Sequence, residues 1–128
     1  MAQLKSVYPI SDENTEALPV SDFGGAIAFY EAVLGFSLVS RDSSTAILTR
    51  DEVRIGLIRK ADHEPGKAGS LAFAVDNLED MHRELQATGG NPGKFGIDEW
   101  NGKRYRTFFM REDKNGYCYC FHCPANRS

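Results

Sequence analysis

Apolar positions along this chain change their period twice, in the same order each time. PVSDFGGAIAFYEAVLGF opens as an extended stretch ending at Val20, then places Phe23, Ala26 and Tyr30 on one face of a helix. AVDNLEDMHRELQATGGN repeats this 55 residues later, with Val75 extended and Leu78, Met81 and Leu85 at helical spacing. Asp22 is placed to cap the first helix, and Asp76 or Asn77 the second; Gly35 and Gly90 are placed to stop them. Strand signals follow each helix. In the first half they are FSLVSR, STAILTR and EVRIGLIRK, rich in β-branched residues and parted by polar turns. In the second half, KRYRTFFMRED and GYCYCFHC flank a turn at Lys114 to Gly116. Each half therefore reads as strand, helix, strands. Such a unit cannot cover its own sheet, so two must pack together.

The pattern predicts one α+β domain over residues 1–128, with module one at about 14–60, a linker at about 61–69 and module two at about 70–123. Residues 1–13 precede the repeat, and LKSVYPI within them reads as an added strand. A net charge of −3 gives no basic face for nucleic acid and no anchor for an anionic membrane. No apolar run approaches the roughly 20 residues of a membrane span, and the start lacks a signal-peptide core. Three cysteines without an export signal point to reduced thiols and a cytoplasmic location.

The ordered segments LPVSD (Leu18 to Asp22), AIAFYEAVLGF (Ala26 to Phe36), LAFAVDN (Leu71 to Asn77) and REDKNGY (Arg111 to Tyr117) resemble the glyoxalase / bleomycin resistance protein / extradiol dioxygenase superfamily, the vicinal oxygen chelate proteins. The resemblance runs over about residues 14–123 and is closest to the metal-free bleomycin-resistance-like type. It implies two βαβββ modules forming a curved, cup-like mixed sheet with helices on the outer face, and a homodimer. Enzymes of this superfamily hold a divalent metal through histidine, glutamate or glutamine, one from each of four strands. Carried over one at a time, those positions fall on Thr15, Gly56, Ser70 and Cys120. Hydroxyls are weak ligands and glycine offers no side chain, so only Cys120 could bind a metal well. The expectation is therefore a small-molecule-binding protein that sequesters an organic ligand in a cup without metal or other cofactor. The alternative is a metal-dependent lyase, isomerase or dioxygenase, glyoxalase-like, using zinc, manganese or iron through Glu16, Glu52 or His122 in a shifted register.

Alternation along the last strand puts Cys118, Cys120 and His122 on one face, toward the cup, with Tyr117, Tyr119 and Phe121 on the other under a helix. Same-face neighbours lie about 6.5–7 Å apart and point in parallel, which disfavours a Cys118–Cys120 disulfide. The three either line the wall as small polarizable groups or form a soft-metal site. Trp100 is the only tryptophan and lies in a polar stretch; it either stacks on a flat ligand or covers a sheet edge or dimer seam. Arg54 shares parity with Gly56, and Arg54, Arg104 and Arg106 are candidate cup-facing cations. Gly56 in place of a ligand is expected to leave room for an organic molecule. His63 reads as a solvated linker residue and His82 as a helix-flank residue, so no general base or activated nucleophile is evident.

Overall fold

The computed structural model describes residues 2–10, 14–112 and 114–125. Asp113 of REDKNGY and residues 11–13 of the leading segment lie outside the described residues. Strand β1 (Leu4–Pro9) comes first, followed by β2 (Leu18–Val20), α1 (Phe23–Ala32), β3 (Ser37–Arg41), β4 (Thr45–Arg50) and β5 (Val53–Arg59). The linker carries a short 3₁₀ turn, Pro65–Lys67. The second half then gives β6 (Ser70–Val75), α2 (Leu78–Ala87), β7 (Gly96–Trp100), β8 (Lys103–Arg111) and β9 (Cys118–Pro124).

The strands form two hydrogen-bonded sheets. One has the order β2-β5-β4-β3 and the other β1-β6-β9-β8-β7. Without β1 the second order copies the first, down to the parallel outer pairs β2/β5 and β6/β9. The internal repeat is therefore structural. β1 adds to the edge of the second sheet, antiparallel to β6, with Leu4 opposite Val75 and Pro9 opposite Leu71.

Both helices start on side-chain caps. Asp22 accepts from the Gly25 N–H at 3.2 Å and Asn77 from the Asp80 N–H at 3.1 Å. Asp76 is used differently: its carboxylate accepts from the Gln3 N–H and holds the start of β1. At the helix ends the left-handed residues are Gly35 and Gly89. The second stop is thus one residue earlier than the repeat predicts, and the Gly90 N–H closes the turn on the Leu85 carbonyl at 2.8 Å.

Each sheet carries its helix on one face, and the two helix-bearing faces pack together. Tyr30 of α1 meets Phe36 at 5.3 Å between ring centroids and also Tyr119 of β9 at 5.9 Å, where the two phenols hydrogen-bond at 3.1 Å. Phe36 meets Phe73 of β6 at 6.2 Å. One apolar cluster therefore spans both modules, from Leu18 and Leu48 to Phe108 and Phe121. The driving term is apolar burial at about 25 cal/mol per Å². What is outer with respect to a cup is here the centre of the molecule, and the two open sheet faces turn away from it.

Arg50 ties four segments of this core. Its guanidinium donates to both Glu84 carboxylate oxygens on α2, at 2.5 and 2.8 Å, and to the carbonyls of Leu34 and Ala2. The turn after β8 ties the modules at another point. The Asn115 side-chain carbonyl accepts from the N–H groups of Ser21 and Asp22, just before α1. His63 is not the solvated linker residue expected from sequence. Its ring stacks on Tyr117 at 5.8 Å and its Nε2 meets the Asn115 carbonyl at 2.9 Å. His82 flanks α2 as expected, stacked on Phe95 at 4.7 Å.

Candidate functional site

The open face of the five-stranded sheet collects most of the candidate residues. On β9, Tyr119 and Phe121 are buried in the core, so Cys118, Cys120 and His122 point the other way. Register places Ser70 opposite Cys118, Ala72 opposite Cys120 and Ala74 opposite His122. On the other side of β9, Thr107 stands opposite His122, Phe109 opposite Cys120 and Arg111 opposite Cys118. Pairing of β7 with β8 adds Asp98 opposite Tyr105. The floor is thus built of small groups from β6 and β9, and one end of it is aromatic.

That end surrounds His122. The Tyr8, Tyr105 and Trp100 rings lie 5.5, 5.4 and 5.7 Å from the imidazole, all edge-on, and Trp100 and Tyr105 touch each other at 5.2 Å. Tyr8 Oη lies 3.0 Å from His122 Nε2. His122 is left only 5% exposed. Thr107 Oγ1 donates to the Asp98 carboxylate at 2.8 Å beside it. Tyr8, Ile10 and Phe109 remain well exposed on this face.

Burial sets the electrostatics. It holds the His122 imidazole below its ordinary pKa, which keeps it neutral near pH 7. It pushes the Cys120 thiol up to about 12, with the nearby Asp98 carboxylate adding to the shift. Cys118 is also raised by burial, against the opposing pull of Arg111 and a hydrogen bond with Ser70. Thiols in this state are poor nucleophiles and poor metal ligands. Among the described residues no group of three or more histidine, cysteine or acidic side chains is arranged to hold a metal ion. The donor set at Thr15, Gly56, Ser70 and Cys120 does not fit the superfamily's divalent ion, because it offers hydroxyls, a protonated thiol and no carboxylate or imidazole.

The burial of His122 makes stability depend on pH. The imidazole titrates near 6.5 when unfolded and lower when folded. Below pH 6.5 the unfolded chain gains a proton that the native state refuses, so stability falls as pH drops through that window. The slope for one such proton is at most about 1.4 kcal/mol per pH unit. Urea unfolding at pH 7.5, 6.5 and 5.5 is expected to show this loss, and His122→Phe is expected to reduce it.

Other candidates are placed differently. Arg54 is exposed on the open face of the four-stranded sheet, opposite Thr49. Gly56 belongs to that sheet as well, and its N–H donates at 2.9 Å to the carbonyl of Thr15, which lies in the turn before β2. Gly56 leaves no room for a ligand: a Cβ there would lie 1.9 Å from the Glu16 carbonyl oxygen. It is glycine because the 14–17 turn crosses directly over it. Arg104 does not reach the site either. Tyr105 and Thr107 take the open face, so Arg104 and Arg106 lie on the opposite one, where Arg106 pairs with Glu79 of α2 at 2.8 Å. Glu16 and Glu52 are exposed, and Glu52 pairs with Lys5 at the surface.

Sequence reasoning missed Tyr8, Tyr105, Thr107 and Asp98. Tyr105 and Thr107 were readable in principle, because alternation in KRYRTFFMR puts Tyr105, Thr107 and Phe109 together once one of them is assigned; Asp98 joins them only through the pairing of β7 with β8. Tyr8 was not readable, because its place depends on β1 joining β6.

The glyoxalase/bleomycin resistance protein/dioxygenase superfamily profile matches residues 14–121. A bleomycin resistance protein from Klebsiella pneumoniae is 28% identical over 102 residues, covering 73% of this chain and 80% of that protein. A bleomycin resistance determinant encoded on transposon Tn5 superposes with TM-score 0.74 at 22% identity, over 90% of this chain and 99% of its own. A bleomycin-binding protein complexed with bleomycin gives TM-score 0.71 at 23% identity, over 88% of this chain and 98% of its own. At these identities the two structural matches speak for the fold alone, and the profile match over residues 14–121 establishes that the chain belongs to the glyoxalase/bleomycin resistance protein/dioxygenase superfamily.

Proposed function

We propose that this protein binds and sequesters a small organic ligand on the open face of the five-stranded sheet, without metal and without making or breaking a bond. The observation that carries this is the face itself: three aromatic rings around a neutral imidazole, with Ala74 and Cys118 half-buried beside them and Ala72 and Cys120 fully buried beneath. A face of this kind can orient a flat, largely apolar molecule through a few polar contacts. Its thiols are held protonated and its imidazole neutral by burial, which suits binding better than bond-making chemistry. The names of its relatives make a bleomycin-type drug the first ligand to test.

The working unit in this reading is a cytoplasmic homodimer. Gly56 and Arg54 belong to one sheet, with Thr15 in the turn that leads into it, and Ser70 and Cys120 belong to the other. A second copy laying its four-stranded sheet over this five-stranded one would complete the cup. It would also cover Tyr8, Ile10 and Phe109, which a lone chain leaves at 41–46% exposure.

The test is fluorescence. Trp100 is the sole tryptophan, so any change in emission reports on the site. Metal-free bleomycin is expected to quench it saturably, and Trp100→Phe is expected to weaken binding measured by calorimetry by about tenfold, the scale of one aromatic contact. No heat and no quenching at millimolar drug would remove the bleomycin assignment.

A further inference from the structure

We propose that His122 offers its Nδ1–H as a buried hydrogen-bond donor to the ligand, so that the site selects planar heteroaromatic rings bearing an acceptor atom over hydrocarbon or donor-only rings of the same shape. This rests on the binding reading above and adds the chemistry by which the face discriminates.

The Tyr8 hydroxyl and His122 Nε2 are 3.0 Å apart. Burial, then the nearby Tyr105 and Cys120, raise the Tyr8 pKa, so its oxygen keeps a proton it can donate, and we take Tyr8 as the donor of this bond. Nε2 of a neutral imidazole then accepts, and the ring proton sits on Nδ1. Nδ1 is buried and has no hydrogen-bond partner among the described residues. Buried ring nitrogens are rarely left so, and one that is calls for an explanation. Thr107 Oγ1, opposite His122 on the neighbouring strand, donates its proton to Asp98. What surrounds the imidazole is aromatic, from Tyr8, Tyr105 and Trp100. A flat ring that displaces one of these edge-on side chains would keep the apolar contacts. If it carries an in-plane acceptor, it would also satisfy Nδ1. A ring without one would bury the donor again, and discrimination follows from that difference.

Two measurements on the full chain test this. Long-range ¹H–¹⁵N spectra of the unliganded protein at pH 7.5 are expected to show His122 as the Nδ1–H tautomer; the Nε2–H tautomer would overturn the proposal. The second uses benzimidazole and indole, which share a shape but differ in an acceptor nitrogen. Benzimidazole is expected to bind about tenfold more tightly, followed at the Trp100 indole N–H, a factor of the size one satisfied buried hydrogen bond supplies. The preference is expected to vanish in His122→Phe and to return in part in His122→Gln, which keeps a donor. Equal affinities, a preference that survives His122→Phe, or no binding of either fragment would each overturn the proposal. Bleomycin binding without fragment discrimination would sink this inference and leave sequestration standing. Discrimination without bleomycin binding would do the reverse for the drug assignment. The tautomer measurement needs no variant, so a His122→Phe protein that fails to fold leaves the test intact.

Discussion

Gly56→Ala is expected to destabilise the protein by about 3 kcal/mol, at the upper end of what overpacking costs. The added methyl would sit 1.9 Å from the Glu16 carbonyl oxygen and 2.5 Å from its carbon, both backbone atoms that cannot rotate away. Gly56 cannot retreat, because β5 is paired on both sides, with β2 and with β4, where its partner is Ile47. Relief would have to come from the 14–17 turn, at the expense of the hydrogen bond from the Gly56 N–H to Thr15. Gly24→Ala is the matched control. A Cβ there meets nothing within 4 Å, so alanine in α1 should be neutral or stabilising by up to about 1 kcal/mol. Urea midpoints of the two variants check this. A loss under about 1 kcal/mol for Gly56→Ala would show that the turn moves aside easily and that the space is available after all.

Arg50→Met is expected to cost about 3–5 kcal/mol, the range for breaking a buried ion pair. The Arg50 side chain is 8% exposed and its Glu84 partner 14%. Without the guanidinium, Glu84 keeps a charge in a nearly dry site, and the Leu34 and Ala2 carbonyls lose their donors. The double variant Arg50→Met/Glu84→Met should recover much of this, because no unpaired charge remains. Equilibrium unfolding of the two single variants and the double variant closes the cycle. Additive losses would mean that Arg50 acts mainly through the two carbonyls. The effect should be global, since Arg50 joins β4 of one module to α2 of the other.

Local periodicity carried much of the architecture. Phe23, Ala26 and Tyr30 against Leu78, Met81 and Leu85 announced two helices in equivalent places, and all six are buried. Alternation in GYCYCFHC separated core-facing Tyr119 and Phe121 from outward Cys118, Cys120 and His122 correctly, because a strand with one apolar face has little freedom of register. The same rule misled on β8, where Arg104, Tyr105 and Arg106 are all amphipathic and local composition does not say which face is buried. Pairing with β9 decides it, since Phe108 must stand beside Phe121 in the core.

By itself the sequence determined the duplicated strand-helix-strands plan, the family, the capped helix starts and the outward parity of Cys118, Cys120 and His122. Each of these rests on neighbours within one helix turn or one strand, or on a repeat visible in the chain. Only the tertiary structure decided that Gly56 is small because backbone crosses it, that His63 stacks on Tyr117, and that Tyr8 closes over His122. Those contacts join residues 40, 54 and 114 positions apart. No local pattern encodes such a meeting; it arises only when sheet order and the packing of two apolar faces bring the segments together.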